Sequence, residues 1–415
     1  MYVKRIAAAV GRSPSITLVR SGSFSALWTA ATFANVGYNL RTMAQAWLIA
    51  ELFDSQFWVG MATGLRVGPA VLLALFAGAF IDRFGSRLVL IVDRLVLAAI
   101  AGITALLVFT ETVELWHIVL LGAISGGMVA FGRPATNALV PDLVKREHLL
   151  AANSMVRLTN TLGQGLGPAL GGLLFAAYGL GSPFLALTAL YGLAVLLTLR
   201  ISKDIKPKHD GSPQPWSKVL SEIKDGISYA RENPIVRWLL ILSTSVIFAT
   251  TWQPAVPFYA RDVLNVGELG MGVLFTGSAV GGIAGALFMS NIGNVERKAL
   301  FLISGALLRG GGMIVFAYST NYALSIGAMF LLGFSASLWG ATIITLLQTS
   351  IVEDMRGRIM SLWVISMQAT ALGWVVGGVL GSWWGNETML LVTGGLFIAV
   401  PILVVAFSKE LRRAR

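Results

Sequence analysis

Apolar runs of about twenty residues recur along this chain, and short charged turns separate them. The first two runs are Phe24–Ala50 and Phe57–Phe80, and twelve can be drawn in all. Each run is long enough to cross the hydrocarbon core of a bilayer as a helix. The pattern therefore predicts an all-α membrane protein with twelve transmembrane helices. The other ten predicted spans are 88–109, 118–139, 152–178, 183–199, 238–258, 271–290, 299–318, 323–346, 359–384 and 389–407.

One long polar linker divides these spans into two groups of six. Arg200–Arg237 contains eight Lys and Arg residues and lies at the midpoint of the chain. The sequence thus predicts a six-helix bundle over 1–200, a cytoplasmic linker over 201–237 and a second six-helix bundle over 238–415. Within the linker, apolar residues recur at helical spacing between charges. This amphipathic helix lies either on the inner membrane face or against the loops of the two halves. The recurring residues are Trp216, Val219, Leu220, Ile223 and Ile227.

The composition excludes several classes of protein. Of the 415 residues, 56% are hydrophobic and only 12% are charged, unlike an ordinary soluble domain. The chain has no cysteine and only three distant histidines, so we expect neither a metal site nor a cofactor. No phosphate-binding loop and no Ser/His/Asp arrangement is evident, so an enzyme is not expected. The net charge is +11, but the basic residues have no interleaved aromatic residues, which argues against nucleic acid as a partner.

The placement of charge predicts the topology. Among the predicted outer loops the only basic residue is Arg261, whereas the inner segments hold most of the others. Basic residues collect on the cytoplasmic side of membrane proteins. Residues 1–23 contain four basic residues and no acid, and Ile6–Val10 is too short for the core of a signal peptide. We therefore expect both termini in the cytoplasm and the protein in a bacterial inner membrane.

A charged turn between spans two and three resembles the signature loop of the major facilitator superfamily. It reads Gly78-Ala79-Phe80-Ile81-Asp82-Arg83-Phe84-Gly85-Ser86-Arg87 and departs from the pattern at Ser86, where a second basic residue is usual. The resemblance implies that this loop helps to gate transport, with Asp82 capping a helix start or pairing with a basic side chain in one conformation. The residues matching the motif are Gly78, Asp82, Arg83, Gly85 and Arg87.

Other segments resemble one branch of the superfamily, the enterobactin-exporter-like transmembrane secretion effectors. These segments are Phe131–Ala135, Ala138–Val144, Leu149–Ser154 and Glu353–Ser361. The resemblance covers nearly the whole chain. It implies two pseudo-symmetric six-helix bundles, alternating access and efflux of small molecules.

Span five carries a run of small residues that has two readings. Small residues let membrane helices approach closely, and Pro168 adds a kink. The string also resembles the fifth-helix motif associated with antiporters and exporters, which favours export over import. The motif residues are Gly163, Gly167, Pro168, Gly171 and Gly172. Three glycines of span eleven, at 373, 377 and 381, follow three of these at a constant offset of 210 positions, which indicates an internal duplication.

Two polar stripes on spans one and five predict a wet cavity. Asn35, Tyr38, Asn39 and Thr42 recur at the helical spacings of three, four and seven, with Arg41 and Gln45 alongside. Arg157, Asn160, Thr161 and Gln164 have the same spacing, so each set of four lies on one face. Polar faces on spanning helices usually face a bundle interior or a cavity. The alternative for any one of them is a hydrogen bond between helices without cargo contact. The candidate cavity residues are Asn35, Tyr38, Asn39, Arg41 and Gln45 on span one and Arg157, Asn160 and Gln164 on span five.

Aromatic, thioether and amide side chains of the second half are candidates for an apolar wall around the cargo. Tryptophan is also a routine anchor at the membrane interface, so both readings stay open. These candidates are Trp252, Gln253, Trp339, Trp363, Met367 and Gln368.

Acidic residues are almost absent from the spans. Asp93, beside Arg94 in span three, is the single carboxylate placed within one. A carboxylate in a span can load and release a proton. Either Asp93 couples transport to protons, or coupling lies elsewhere, or transport is not proton-coupled.

We therefore predict a secondary active transporter that exports a small amphipathic molecule, drug or siderophore-like, by proton antiport. It is expected to act as a monomer in the lipid bilayer, with protons and the small molecule as its partners. Two alternatives remain: a flippase for lysophospholipid or another lipid, and a non-transporting membrane scaffold or sensor.

Overall fold

The computed structural model describes residues 18–19, 21–202, 216–292, 298–408 and 411. Within those ranges the protein is all-helical, as the sequence predicts, and no β-strand occurs. The basic N-terminal segment 1–23, expected in the cytoplasm, lies largely outside the described residues.

Every predicted span is helical, with ends within a few residues of those expected. In chain order the α-helices are α1 Gly22–Phe53, α2 Gln56–Leu65, α3 Val67–Phe84, α4 Ser86–Phe109, α5 Leu115–Leu143, α6 Leu149–Tyr178, α7 Ser182–Leu199, α8 Trp216–Glu232, α9 Pro234–Thr244, α10 Val246–Ala249, α11 Val256–Phe258, α12 Gly267–Ile292, α13 Lys298–Tyr318, α14 Tyr322–Ser350, α15 Arg356–Met367, α16 Ala369–Trp384 and α17 Asn386–Phe407. Short 3₁₀ turns occur at Arg146–His148, Gln253–Ala255 and Glu353–Met355, and a π-helical turn at Tyr259–Val263.

Ten helical segments of the described chain are long and apolar enough to cross a membrane. Two further helices, α1 and α6, have 32 and 30 residues but are not among the ten. These two helices carry the polar stripes found in the sequence, which lower their mean hydropathy. Their length still exceeds what a bilayer requires.

Prolines explain two of the breaks in the spans. Pro69 has no backbone N–H to donate to the carbonyl of Leu65, and its ring crowds that carbonyl. The second span accordingly divides into α2 and α3 at Arg66. Pro254 and Pro257 act in the same way on the seventh span, which continues beyond α10 only as short turns. Span eleven also divides, at Gln368, where no proline is near.

The helices form two compact units. The first contains Met1–Gln45 and Leu65–Pro213, and the second contains Ala46–Gly64 and Gln214–Arg415. The first unit has an apolar core around Phe24, Leu90 and Leu139. The second has a larger core that includes Leu239 and Phe397.

Inside the second unit, α2 packs closely on α16. A Cβ atom on Gly60 would lie 2.4 Å from the backbone oxygen of Trp374 and 2.6 Å from Cα of Gly378, so only glycine fits at this crossing. Arg261 reinforces the same unit, because its guanidinium donates to the carbonyl of Ala50 at 2.7 Å and pairs with the carboxylate of Asp54.

The linker contains the predicted helix, α8, and this helix packs on α15 of the second unit. Arg358 Nη1 lies 3.3 Å from Asp225 Oδ2, and Gly226 lies against Leu362. Ile227 remains 41% exposed. The side chains at 216–223 lie outside the described residues. The described part of α8 thus packs against a neighbouring helix of the same unit.

The small residues of α6 bring it onto α1. A Cβ atom on Gly163 would lie 2.6 Å from the backbone oxygen of Asn35, and one on Gly167 would lie 2.7 Å from the backbone nitrogen of Leu40. In the second unit, a Cβ atom on Gly377 of α16 would lie 2.3 Å from the backbone oxygen of Thr251, so α16 packs closely on the seventh span.

Candidate substrate cavity in the first unit

A polar cavity of about 130 Å³ lies among the helices of the first unit. It is lined from α1, the start of α3, α4, α5, α6 and α7. Its charged and hydrogen-bonding side chains are those of Asn35, Tyr38, Arg41, Arg66, Asp93, Arg94, Ser125, Arg133, Thr136, Asn137, Asn160 and Tyr191. Polar groups are rare in membrane spans, so a group of this size in one place is typical of a substrate or ion pathway.

The stripe on α1 supplies part of this lining. Asn35, Tyr38 and Arg41 face the cavity. Asn39 donates to the carbonyl of Asn35 at 2.9 Å and lies against Gly167 of α6. Gln45 is buried, 5% exposed, where Gly122 of α5 leaves room for its amide. The structure thus places three of the five predicted residues of this stripe in the cavity and two at helix contacts.

The stripe on α6 contributes less. Asn160 lines the cavity, whereas Arg157 and Gln164 lie on the exposed surface of α6 and are not part of this lining. A hydrogen bond of 2.9 Å from Asn35 Nδ2 to Thr159 Oγ1 joins α1 to α6 beside the cavity. This bond is the interhelical contact that the sequence left open as an alternative for such stripes.

The arginines of the cavity were only partly found from the sequence. Arg66 lies where Pro69 interrupts the second span, and Gly126 of α5 admits its backbone so closely that a Cβ there would lie 1.8 Å from the carbonyl oxygen. Arg66 and Arg133 both approach the ring of Tyr38, with guanidinium carbons 5.1 and 5.5 Å from its centroid. A charged residue within a predicted span is costly, so its presence there indicates a functional site, and this signal is the same for Arg66 and Arg94.

Several buried polar atoms of the cavity have no hydrogen-bond partner within the described chain. They are Nη1 of Arg41, Nη2 of Arg66, Nε of Arg94 and Oδ1 of Asp93. The four residues are between 1% and 6% exposed. A buried polar group without a partner costs free energy, so these atoms are available to a ligand, an ion or water.

The carboxylate of Asp93 lies against α5 at Gly132, where there is no side chain to exclude it. A Cβ on Gly132 would lie 2.8 Å from Asp93 Oδ2, so any larger residue there would displace the carboxylate. The acid also lines a second, apolar cavity of about 390 Å³, between α3, α4 and α5. Asp93 thus lies between a polar and an apolar space. The apolar lining consists of Phe80, Phe84, Leu88, Val89, Val92, Met128 and Phe131.

The signature loop is a tight reversal between α3 and α4. Gly85 adopts φ 81°, a conformation that favours glycine. Arg87 donates to the carbonyls of Leu199 at 2.9 Å and Ile201 at 2.8 Å, and so holds the end of α7. Gly78 lies within α3, and a Cβ atom there would meet nothing within 4 Å, so close approach is not required at this position. The turn therefore depends on Gly85 and Arg87.

The other loop residues make weaker contacts. Asp82 is half-buried, and no basic group of the described chain lies within 4.0 Å of its carboxylate. The first turn of α4 has no side-chain cap. Arg83 is exposed, with its guanidinium carbon 5.4 Å from the centroid of Phe84. Among the described residues, Asp82 therefore neither pairs with a basic group nor caps the start of α4.

The candidates for the apolar wall around the cargo lie in the second unit. Some of them pack in its core, and some have indole N–H groups without a partner. Trp339 belongs to the apolar core and its ring lies 5.1 Å from that of Phe397. The indole nitrogens of Trp252, Trp339 and Trp363 are buried without a partner in the described chain. Of the remaining three, Gln253 and Met367 are half-buried and Gln368 is exposed.

Comparison with known proteins identifies the family. The family model for the Major Facilitator Superfamily matches residues 27–371. The chain belongs to the Major Facilitator Superfamily. It is therefore an integral membrane transporter of small molecules and not an enzyme, and the resemblance found in the sequence is confirmed.

Curated relatives agree with the expected branch. The enterobactin exporter EntS of Escherichia coli (strain 55989 / EAEC) is 25% identical over 395 residues, which cover 95% of this chain and 93% of the relative. EntS of Shigella boydii serotype 18 matches with the same identity and coverage.

Solved structures share the fold at low identity. The nucleoside transporter NupG has a TM-score of 0.72 at 13% identity, over 93% of this chain and 98% of that one. A bacterial homologue of the human lysosomal transporter Spinster has a TM-score of 0.71 at 12% identity, over 95% and 98%.

Proposed function

We propose that this transporter exports a small amphipathic molecule, drug or siderophore-like, across the bacterial inner membrane by alternating access. The observation that carries the proposal is the polar cavity of the first unit, whose buried charged atoms have no partner within the described chain. Charged groups inside a membrane are costly and mark the pathway of a substrate or ion. The apolar cavity on the other side of Asp93 suits the apolar part of an amphipathic cargo.

Two observations support export as the direction. The glycine and proline string of α6 matches the pattern associated with antiporters and exporters, and it packs directly on α1 at the cavity. The curated relatives are named as exporters.

Asp93 is the residue we propose for proton coupling. It lines the cavity, is 5% exposed, and Oδ1 has no partner among the described residues. A carboxylate in this position can exchange its proton for cargo as the site alternates between the two sides. Asp93→Asn is expected to remove the dependence of transport on a proton gradient, because the amide cannot ionise.

We also propose, on the charge pattern of the sequence, that both termini lie in the cytoplasm and the protein in the inner membrane. We propose that it acts as a monomer, since each unit carries its own core and the cavity is formed by the first unit alone.

The test is flux in proteoliposomes prepared from the purified protein. Efflux of a panel of fluorescent amphiphiles is measured with and without an imposed proton gradient, for wild type and Asp93→Asn, with the exposed loop variant Arg146→Gln as the control. Gradient-driven flux that Asp93→Asn abolishes supports the proposal. Absence of flux for every compound, lipids included, would contradict any carrier function.

A lipid flippase is the second candidate, and the apolar cavity favours it. Its lining includes exposed apolar rings, with Phe80 48% and Phe84 46% exposed, so an acyl chain could enter from the side. Translocation of a fluorescent lysophospholipid, followed by quenching from one side of the liposome, distinguishes the two. Lipid translocation without flux of soluble amphiphiles would select the flippase.

A further inference from the structure

The charge of the polar cavity is strongly unbalanced. Four arginines line it, at positions 41, 66, 94 and 133, and Asp93 is the one acid among the lining residues. Within the described chain no carboxylate lies within 4.0 Å of any of the four guanidinium groups. We propose that this cavity binds an anionic group of the cargo, through Arg41, Arg66 and Arg133. The inference rests on the proposed transport function and names the chemical class of the cargo.

A buried arginine elsewhere in the same chain shows what a purely structural role looks like. Arg309 of α13 is 8% exposed and donates to the carbonyl of Ala249 at 2.8 and 3.0 Å and to that of Leu332 at 2.9 Å. Its donors are used to hold helices together. Arg41 and Arg66 are buried at least as deeply but keep free N–H groups that line a cavity. Arginine donors that remain free in a buried cavity indicate that these residues bind a ligand and do not serve only to hold helices together.

The guanidinium groups are also arranged around one ring. The centroid of Tyr38 lies 5.1 Å from the guanidinium carbon of Arg66 and 5.5 Å from that of Arg133. The ring face attracts both cations to the same cavity, where a bound anion would offset the repulsion between them. Asp93 does not pair with either cation, because within the described chain its carboxylate lies more than 4.0 Å from both guanidinium groups.

Guanidinium groups bind carboxylate, phosphate and sulfonate through paired hydrogen bonds. The cargo is therefore an amphipathic acid whose charged group enters the polar cavity. A free organic acid and the head group of an anionic lipid share this chemistry, and the experiment separates them.

The first arm measures binding to the full-length protein in phosphatidylcholine nanodiscs, with empty nanodiscs as the blank. The probes are 1-anilinonaphthalene-8-sulfonate and N-phenyl-1-naphthylamine, which differ by the sulfonate. Wild type is expected to bind the sulfonate more tightly than the neutral amine. Arg66→Gln and Arg133→Gln should each weaken sulfonate binding by about tenfold or more, the effect of losing a charged hydrogen bond. Neither should weaken binding of the amine.

Three variants control for folding. Arg133 is on the exposed side of α5 and contacts the half-buried ring of Tyr38, so Arg133→Gln leaves no buried group without its partner. Arg66→Lys keeps the charge and should bind the sulfonate more tightly than Arg66→Gln. Arg146→Gln, in an exposed loop away from the cavity, should bind both probes as wild type does.

The second arm measures translocation of fluorescent lysophosphatidylglycerol and lysophosphatidylcholine in proteoliposomes. Preference for the glycerol head group, lost in Arg66→Gln, assigns the anion to a lipid. Sulfonate binding without this preference assigns it to a free acid. Equal binding of the two probes by wild type, or equal loss of both in the arginine variants, would overturn the inference. Selective sulfonate binding without flux of any compound would instead contradict the transport function and leave the anion site standing.

Discussion

The contact of α6 with α1 makes a sharp prediction at Gly167. A Cβ atom there would lie 2.7 Å from the backbone nitrogen of Leu40 and 2.8 Å from the backbone oxygen of Val36. Backbone atoms cannot rotate out of the way, so in Gly167→Ala the two helices must separate by roughly 0.7 Å to reach an ordinary contact of 3.4 Å. Inserting a methyl group into a packed interface costs about 1–3 kcal/mol.

Gly165 is the matched control because it lies on the same helix with nothing within 4 Å of a Cβ position. Alanine gains the same helix propensity over glycine at both positions, so the difference between Gly167→Ala and Gly165→Ala measures the packing cost alone. We expect the unfolding midpoint of Gly167→Ala in detergent to lie a few degrees below that of Gly165→Ala. Transport should fall too, because the bond from Asn35 to Thr159 crosses the same interface. Equal midpoints for the two variants would refute the packing argument.

Three further predictions follow from individual side chains. Arg309→Gln should lower the free energy of unfolding by about 1.5–3 kcal/mol or more, because charged hydrogen bonds to two carbonyls are lost. Arg66→Gln should lower it less, because the variant removes a donor that has no partner in the described chain. Chemical denaturation of both variants measures the difference. Arg87→Ala should lower the thermal midpoint more than Arg83→Ala, because only Arg87 holds the carbonyls at the end of α7, and equal midpoints would count against that role. Asp82→Asn should slow transport at normal expression; a wild-type rate in the same flux assay would remove the gating role.

The membrane helices could be predicted because the length of an apolar run is fixed by the bilayer. The breaks within spans two and seven follow from Pro69, Pro254 and Pro257. The sequence does not show that the break at Arg66 faces the cavity, because that depends on how α5 packs beside α3. Gly126 makes that approach possible, and glycine is too frequent in this chain to single it out.

The site was predicted in part for a similar reason. Helical periodicity shows which residues share a face, but not which neighbour that face meets. Asn35, Tyr38 and Arg41 share their face with Asn39, yet Asn39 turns its amide to the carbonyl of Asn35 and packs on α6. Arg133 was noted only within a family motif, because its partner Tyr38 lies on another helix.

The central claim is that α1 and α6 enclose a wet cavity on the path of the cargo. The chain contains no cysteine, so single cysteines can be introduced without a background. We predict that Asn35→Cys and Asn160→Cys react with a water-soluble methanethiosulfonate reagent in membranes, because both side chains line the cavity. Leu158→Cys is the control, since its apolar side chain is 47% exposed but does not line the cavity, and we expect it to face lipid. Reaction at both asparagine positions but not at Leu158 supports the account; no reaction at Asn35 and Asn160 would contradict it.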